Sequence, residues 1–232
     1  MPLPEVAAAL ADVGRVLPGD VRVVVLRGDI WSSLQLPDGA YSDGAVAGGV
    51  VPGGAVAGGA DAGMTAAERL VAGWQAGFGW LSASADLVSV AVVSGPARGP
   101  GLQLALSCDL RVLTEDAVLA LPEASSGLVP GLGVTGTLVS LVGYATALDL
   151  CLTGRRLTAA EARATGVAQR VVPSAALDGA VDDLVAALLA TPRAAAAETK
   201  ALLRAAAGGR TGETRAAERA ALARCLAGHP AG

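Results

Sequence analysis

The spacing of apolar residues divides the chain into short elements. In residues 5–17, Val6, Leu10, Val13 and Leu17 recur at roughly helical spacing, and Pro18-Gly19-Asp20 stops the helix. Residues 21–26 (VRVVVL) are β-branched and nearly continuous in apolarity. Such a run suits a strand buried on both faces, in a sheet covered by helices. Residues 65–84 return to a helical period through Leu70, Trp74, Phe78 and Leu81, and residues 87–93 (LVSVAVV) form a second buried strand. A turn-rich bend follows at 94–100, then a short apolar helix at 102–108 and strand candidates at 110–113 and 117–121. Helical segments are expected at 135–151, 158–165, 175–190 and 192–207. Strands alternating with helices through parallel-type crossovers define an α/β protein.

Two segments depart from this pattern. Residues 37–63 are rich in Gly and Ala, with little periodicity and no large anchor beyond Tyr41. They are expected to form a long loop inside a core spanning residues 1–174, with a helical region at 175–232. Stretches of this kind serve as lids or disordered insertions. The loop lacks the GK[ST] signature of a phosphate-cradling loop.

Composition narrows the function classes. The chain is 53 % hydrophobic but only 3 % aromatic, so its core is expected to be Val, Leu and Ala in close contact. The net charge is −4 and the cations are scattered, which argues against nucleic acid as a partner. Cys108, Cys151 and Cys225 are far apart and odd in number, and the only histidine is His229. That pattern argues against structural zinc and a disulfide framework, and for a reducing cytoplasm. Neither a secretory leader nor a membrane span is expected.

The chemistry-bearing motifs lie in residues 88–173. In order they are Ser94-Gly95, Gly99-Pro100-Gly101, Cys108-Asp109, Pro122-Glu123, Gly127, Pro130-Gly131-Leu132-Gly133, Leu152-Thr153-Gly154-Arg155, Glu161-Ala162 and Gly166-Val167. This series resembles the crotonase superfamily, the enoyl-CoA hydratases and isomerases, almost end to end. Residues 21–28 and 192–203 extend the resemblance more weakly. It implies a (ββα) spiral core with a C-terminal helical region, and acyl-CoA thioester chemistry in which CoA is part of the substrate and no cofactor or metal is needed. It also implies a homotrimer or hexamer. Two preorganised backbone N–H groups in such proteins stabilise the thioester oxyanion, and carboxylates move protons.

The resemblance assigns roles residue by residue. Hydratases of the family use two glutamates. The first position is Gln103 here, and an amide orients water but cannot accept a proton at neutral pH. The second matches Glu123. A lone glutamate there is the pattern of the family's Δ3-Δ2 enoyl-CoA isomerases, where one carboxylate takes a proton from C2 and returns it at C4. One oxyanion donor falls on Pro100, which has no N–H, leaving Gly101 to substitute through a shifted bend or the donor to be lost. The other falls on Gln35, with Ser33, Leu34 and Gly131 implied beside the substrate. The chain starts near the family's first helix, so the N-terminal hairpin that helps hold the CoA nucleotide is not expected.

Three readings stay open: an isomerase or hydratase-like enzyme using Glu123, a catalytically silent acyl-CoA-binding protein, and a scaffold subunit. Other residues read more simply. Asp109 is a turn or cap residue, Trp74, Phe78 and Trp80 are core or subunit contacts, and Arg155-Arg156 lie on the surface.

Overall fold

The structure, a computed structural model, describes residues 1–34 and 66–207. The 37–63 segment lies outside the described residues, as do Gln35, Cys225 and His229.

Among the described residues, seven strands form two sheets. The larger contains β1 (Val23–Leu26), β2 (Val88–Val93), β4 (Leu110–Thr114) and β7 (Arg170–Val172), ordered β1-β2-β4-β7 and parallel throughout. The smaller contains β3 (Pro96–Arg98), β5 (Val118–Ala120) and β6 (Leu157–Thr158). In it β3 and β5 are parallel, and β5 and β6 antiparallel. The chain steps from the large sheet to the small one twice, β2 to β3 and then β4 to β5. Between these steps runs α4 (Pro100–Ser107). This repeated step is the spiral expected from the sequence.

The continuous apolarity of β2 has a direct structural reason, since both faces are buried. Val90 and Val92 point to one side, where they meet Val112 of β4 and Val181 and Leu184 of α8 (Leu177–Ala190). Ala91 and Val93 point to the other side, into the main core with Phe78, Leu104 and Leu113. Phe78 and Trp74 lie on α3 (Ala66–Ala83) and are almost fully buried. Burial of a side chain of this size contributes about 1.5–3 kcal/mol. The first helix, α1 (Leu3–Val16), packs along α3. The helical region that begins at 175 thus starts with the outer cover of the large sheet.

Three details differ from the sequence expectation. The bend at 94–100 contains β3, and a four-residue helix α2 (Ile30–Ser33) follows β1. The helix expected over 135–151 is two helices, α5 (Thr135–Val142) and α6 (Tyr144–Thr153), separated at Gly143. Strands of two or three residues such as β3, β6 and β7 are too short to show a period of two. The Glu161-Ala162 motif has a local explanation at α7 (Ala159–Ala164): Thr158 Oγ1 accepts the Glu161 N–H at 3.2 Å, and Glu161 Oε2 accepts the Thr158 N–H at 2.9 Å. This reciprocal cap satisfies two helix-end donors. The last described element is α9 (Arg193–Ala207), which has no buried residue.

Candidate active site

The candidate site follows from the register of β3 and β5. These parallel neighbours pair Arg98 with Ala120, so the residues just beyond each strand emerge side by side. Beyond β3 comes Gly99, whose N–H bonds the Ala120 carbonyl at 3.0 Å. Beyond β5 comes Pro122, then a 3-10 turn over Glu123–Ser126. Gly99 has φ 49° and ψ −122°, a conformation that disfavours residues with a side chain. It caps α4 and turns the chain, and a Cβ there would approach Glu123 Oε1 to 3.4 Å.

Glu123 is only 6 % exposed. Its Oε1 accepts a hydrogen bond from Gln103 Nε2 at 2.6 Å. Its Oε2 has no hydrogen-bond partner among the described residues. Gln103 is itself buried, and its Oε1 accepts the Leu132 N–H at 2.9 Å. That backbone donor fixes the amide assignment: the oxygen must face Leu132, so the NH2 faces Glu123. Burial pushes the Glu123 carboxyl above its ordinary pKa, while its own backbone N–H and the Gln103 amide pull it down. The net direction is up. A raised pKa makes the carboxylate a stronger base for taking a proton than an ordinary glutamate.

The start of α4 is crowded from one side. Trp31, on α2, is anchored by its Nε1 donating to the Val92 carbonyl at 2.7 Å. Its own carbonyl then lies against Gly101, where an added Cβ would stand 1.9 Å from the Trp31 oxygen. Only glycine fits there. Pro100 occupies the first turn of α4 and contributes no N–H, so the first free amide of the helix belongs to Gly101.

Of the other expected site residues, Gly131 lies in the loop that carries Leu132, its carbonyl accepting Gln75 Nε2 at 2.7 Å. Ser33 Oγ donates to the Asp29 carbonyl at 2.7 Å. Leu34 is 3 % exposed and belongs to the main core. Gln35 lies outside the described residues. The structure therefore brings Gln103, Glu123, Gly99 and the 131–132 loop together, with Gly101 at the helix start. Leu132 was not expected as a site residue; its role is carried by a backbone N–H, which no side-chain pattern reveals.

A further cavity lies elsewhere among the described residues. A groove of about 760 Å³ runs between α9 and the body, lined in part by Leu106, Leu141, Leu188, Leu203, Lys200 and Arg204. Glu123 takes no part in it. Among the described residues no cluster of His, Cys, Asp and Glu could hold a metal ion, and no helix is long and apolar enough to cross a membrane.

Two parallel strands thus bring a buried carboxyl beside a glycine-led helix start. The sequence model of the enoyl-CoA hydratase/isomerase family matches residues 57–228, and the chain belongs to that family. A Thermobifida fusca YX protein described as an enoyl-CoA hydratase, solved with acetoacetyl-CoA, is 42 % identical with a TM-score of 0.79. That match covers 95 % of this chain and 84 % of the other. YngF of Bacillus subtilis, named as an enoyl-CoA hydratase/isomerase, is 41 % identical over 111 residues, 48 % of this chain and 43 % of that protein. The fatty acid oxidation complex subunit alpha of Vibrio cholerae is 51 % identical over 90 residues, 38 % of this chain and 13 % of that protein. The chain thus spans less than half the length of these curated relatives.

Proposed function

We propose that the protein acts on acyl-CoA thioesters, as an enoyl-CoA isomerase or hydratase-type enzyme in which Glu123 is the proton-transfer base. The observation that carries this reading is the buried Glu123 carboxyl with one oxygen held by Gln103 and the other unpartnered. Isomerisation fits that geometry best. Oε2 of the ionised carboxyl takes a proton from C2 of a 3-enoyl thioester. The electron pair moves through the former C3–C4 double bond and the thioester carbonyl, giving a dienolate. The same oxygen returns the proton to C4, leaving the double bond at C2–C3. No electrons are gained or lost, and no cofactor beyond the CoA of the substrate is needed. The Gly101 N–H at the start of α4 is the candidate donor to the thioester oxygen.

Turnover of a 3-enoyl-CoA and of a 2-enoyl-CoA by wild type and Glu123→Ala tests the reading. The expected result is activity on the 3-enoyl thioester that the substitution abolishes. Wild-type rates no higher than those of the variant sink it.

Pro100 favours a second reading, a catalytically silent acyl-CoA-binding protein, because it removes one N–H from the expected oxyanion site. Calorimetry with an acyl-CoA showing tight binding, beside assays showing no turnover, selects that reading. Absence of binding leaves the scaffold role.

Self-association as a trimer or hexamer belongs to the same proposal. Its support is a stripe of exposed apolar residues on α6, Tyr144, Leu148 and Leu152, at successive turns. Sedimentation velocity showing only monomer contradicts it. A cytoplasmic location is supported by the free thiols of Cys108 and Cys151.

A further inference from the structure

We infer that Gln103 is a positioning residue that commits Oε2 of Glu123 to proton transfer by holding Oε1 out of the reaction. This deepens the proton-transfer reading and rests on it for its kinetic consequences, though the geometry stands by itself.

A carboxylate has two equivalent oxygens and rotates freely about its last bond unless something distinguishes them. Here the distinction arises in a chain of three contacts. Gln75 of α3 holds the Gly131 carbonyl at 2.7 Å, which fixes the loop. The next residue of that loop, Leu132, donates its N–H to Gln103 Oε1 at 2.9 Å. The amide so oriented donates to Glu123 Oε1 at 2.6 Å. Each contact settles the next, and the last leaves Oε2 as the oxygen without a hydrogen-bond partner among the described residues.

Two consequences follow. An amide can neither give nor take a proton, so Glu123 must remove and return the proton through one oxygen. An amide N–H on Oε1 also stabilises the anion and opposes the effect of burial. The titratable group coupled to Glu123 among the described residues is the Cys151 thiol on α6, which is raised by burial and then by the Glu123 charge. A change in the Glu123 titration on altering Gln103 is therefore assigned to the amide and not to a neighbouring cation.

The test compares wild type, Gln103→Met and Gln103→Leu with 3-hexenoyl-CoA as probe. The methionine variant keeps the volume and removes the donor. The leucine variant also removes the donor, with a shorter side chain and no added charge, so it remains informative should the first not fold. In both, the acid limb of the kcat/KM profile is expected to move to higher pH. In Gln103→Met, kcat at pH 6 is expected to fall roughly tenfold with KM changed less than about twofold. A limb and kcat identical to wild type in both variants overturn the inference.

The carboxyl titration of Glu123, read by infrared difference against Glu123→Gln, separates this result from the acyl-CoA reading. If wild type turns over no enoyl-CoA, that reading fails and the titration still decides the role of Gln103. An upward shift in both variants supports it, and an unmoved titration rejects it.

Discussion

At its C-terminal end α4 runs into Arg111, a guanidinium only 2 % exposed. It donates to the carbonyls of Cys108 at 2.8 Å and Ala105 at 3.4 Å, and also to those of Val167 and Asp109. The cation thereby neutralises the negative end of the helix. Burial lowers its pKa, the nearby Cys108 and Asp109 groups raise it, and no carboxylate is needed at bonding distance. Beside it Asp109 Oδ2 accepts the Ser89 N–H at 2.8 Å, the Ser89 hydroxyl at 3.1 Å and Lys200 of α9 at 2.7 Å. The Cys108 thiol is pushed up to about 12, chiefly by burial, and is inert. At its N-terminal end the same helix faces Glu123, a carboxyl equally buried with one oxygen unpartnered.

The difference separates structure from chemistry. Both clusters hold buried charge-bearing groups joined to α4 by hydrogen bonds. One satisfies its cation with backbone carbonyls and its carboxylate with three donors. The other leaves a buried carboxyl oxygen without a partner among the described residues and its pKa raised. Unsatisfied buried polar atoms are costly, and a reactive role is one of the reasons they persist.

The largest expected effect falls on the Glu123 end. Glu123→Gln should lower turnover by about 10²–10⁴-fold, the usual contribution of a positioned base, without loss of fold. Arg111→Met should do the reverse. Several buried carbonyls lose their donor, costing about 3 kcal/mol in urea denaturation, while turnover per folded molecule stays near wild type. An equal loss of activity and stability in both variants breaks the distinction between the two ends.

Gly101→Ala addresses the contact between α2 and α4. The added Cβ meets the Trp31 carbonyl, so a destabilisation of about 1–3 kcal/mol is expected together with lost turnover. Retained stability and activity would show that α2 is free to move. Lys200→Met is milder. It removes the α9 contact to Asp109, whose partners are 11 % and 18 % exposed, for a loss of about 1 kcal/mol.

The smallest effect is one of sign. Burial raises the folded-state pKa of Glu123 above its unfolded value. The folded protein then holds a proton that the unfolded chain has released, so this group reduces stability as pH climbs from the unfolded toward the folded pKa. Above that window Glu123→Gln should melt at a higher temperature than wild type. Below it the two should melt together. Thermal melts at pH 4 and pH 8 check both halves.

The strands of the large sheet were largely legible in the sequence because both faces of β2 are covered, which forces an unbroken apolar run. The family resemblance named Gln103 and Glu123, but their contact depends on the register of β3 and β5, strands too short for any periodicity. The unusual buried charge, Arg111, carries no sequence signal, because its partners are carbonyls brought together by the turn of α4. Leu34, named by the resemblance as a residue beside the substrate, is also part of the main core, a placement its position in the motif does not reveal. The 37–63 segment lies outside the described residues.

The central claim is that Glu123 moves a proton on an acyl-CoA thioester bound at the start of α4. Proton NMR of a 3-enoyl-CoA in D2O, with wild type and Glu123→Gln at matched folded concentration, tests it most directly. The account predicts migration of the double bond to C2–C3 with wild type and none above background with the variant. Equal migration with both, or none with wild type, would contradict it.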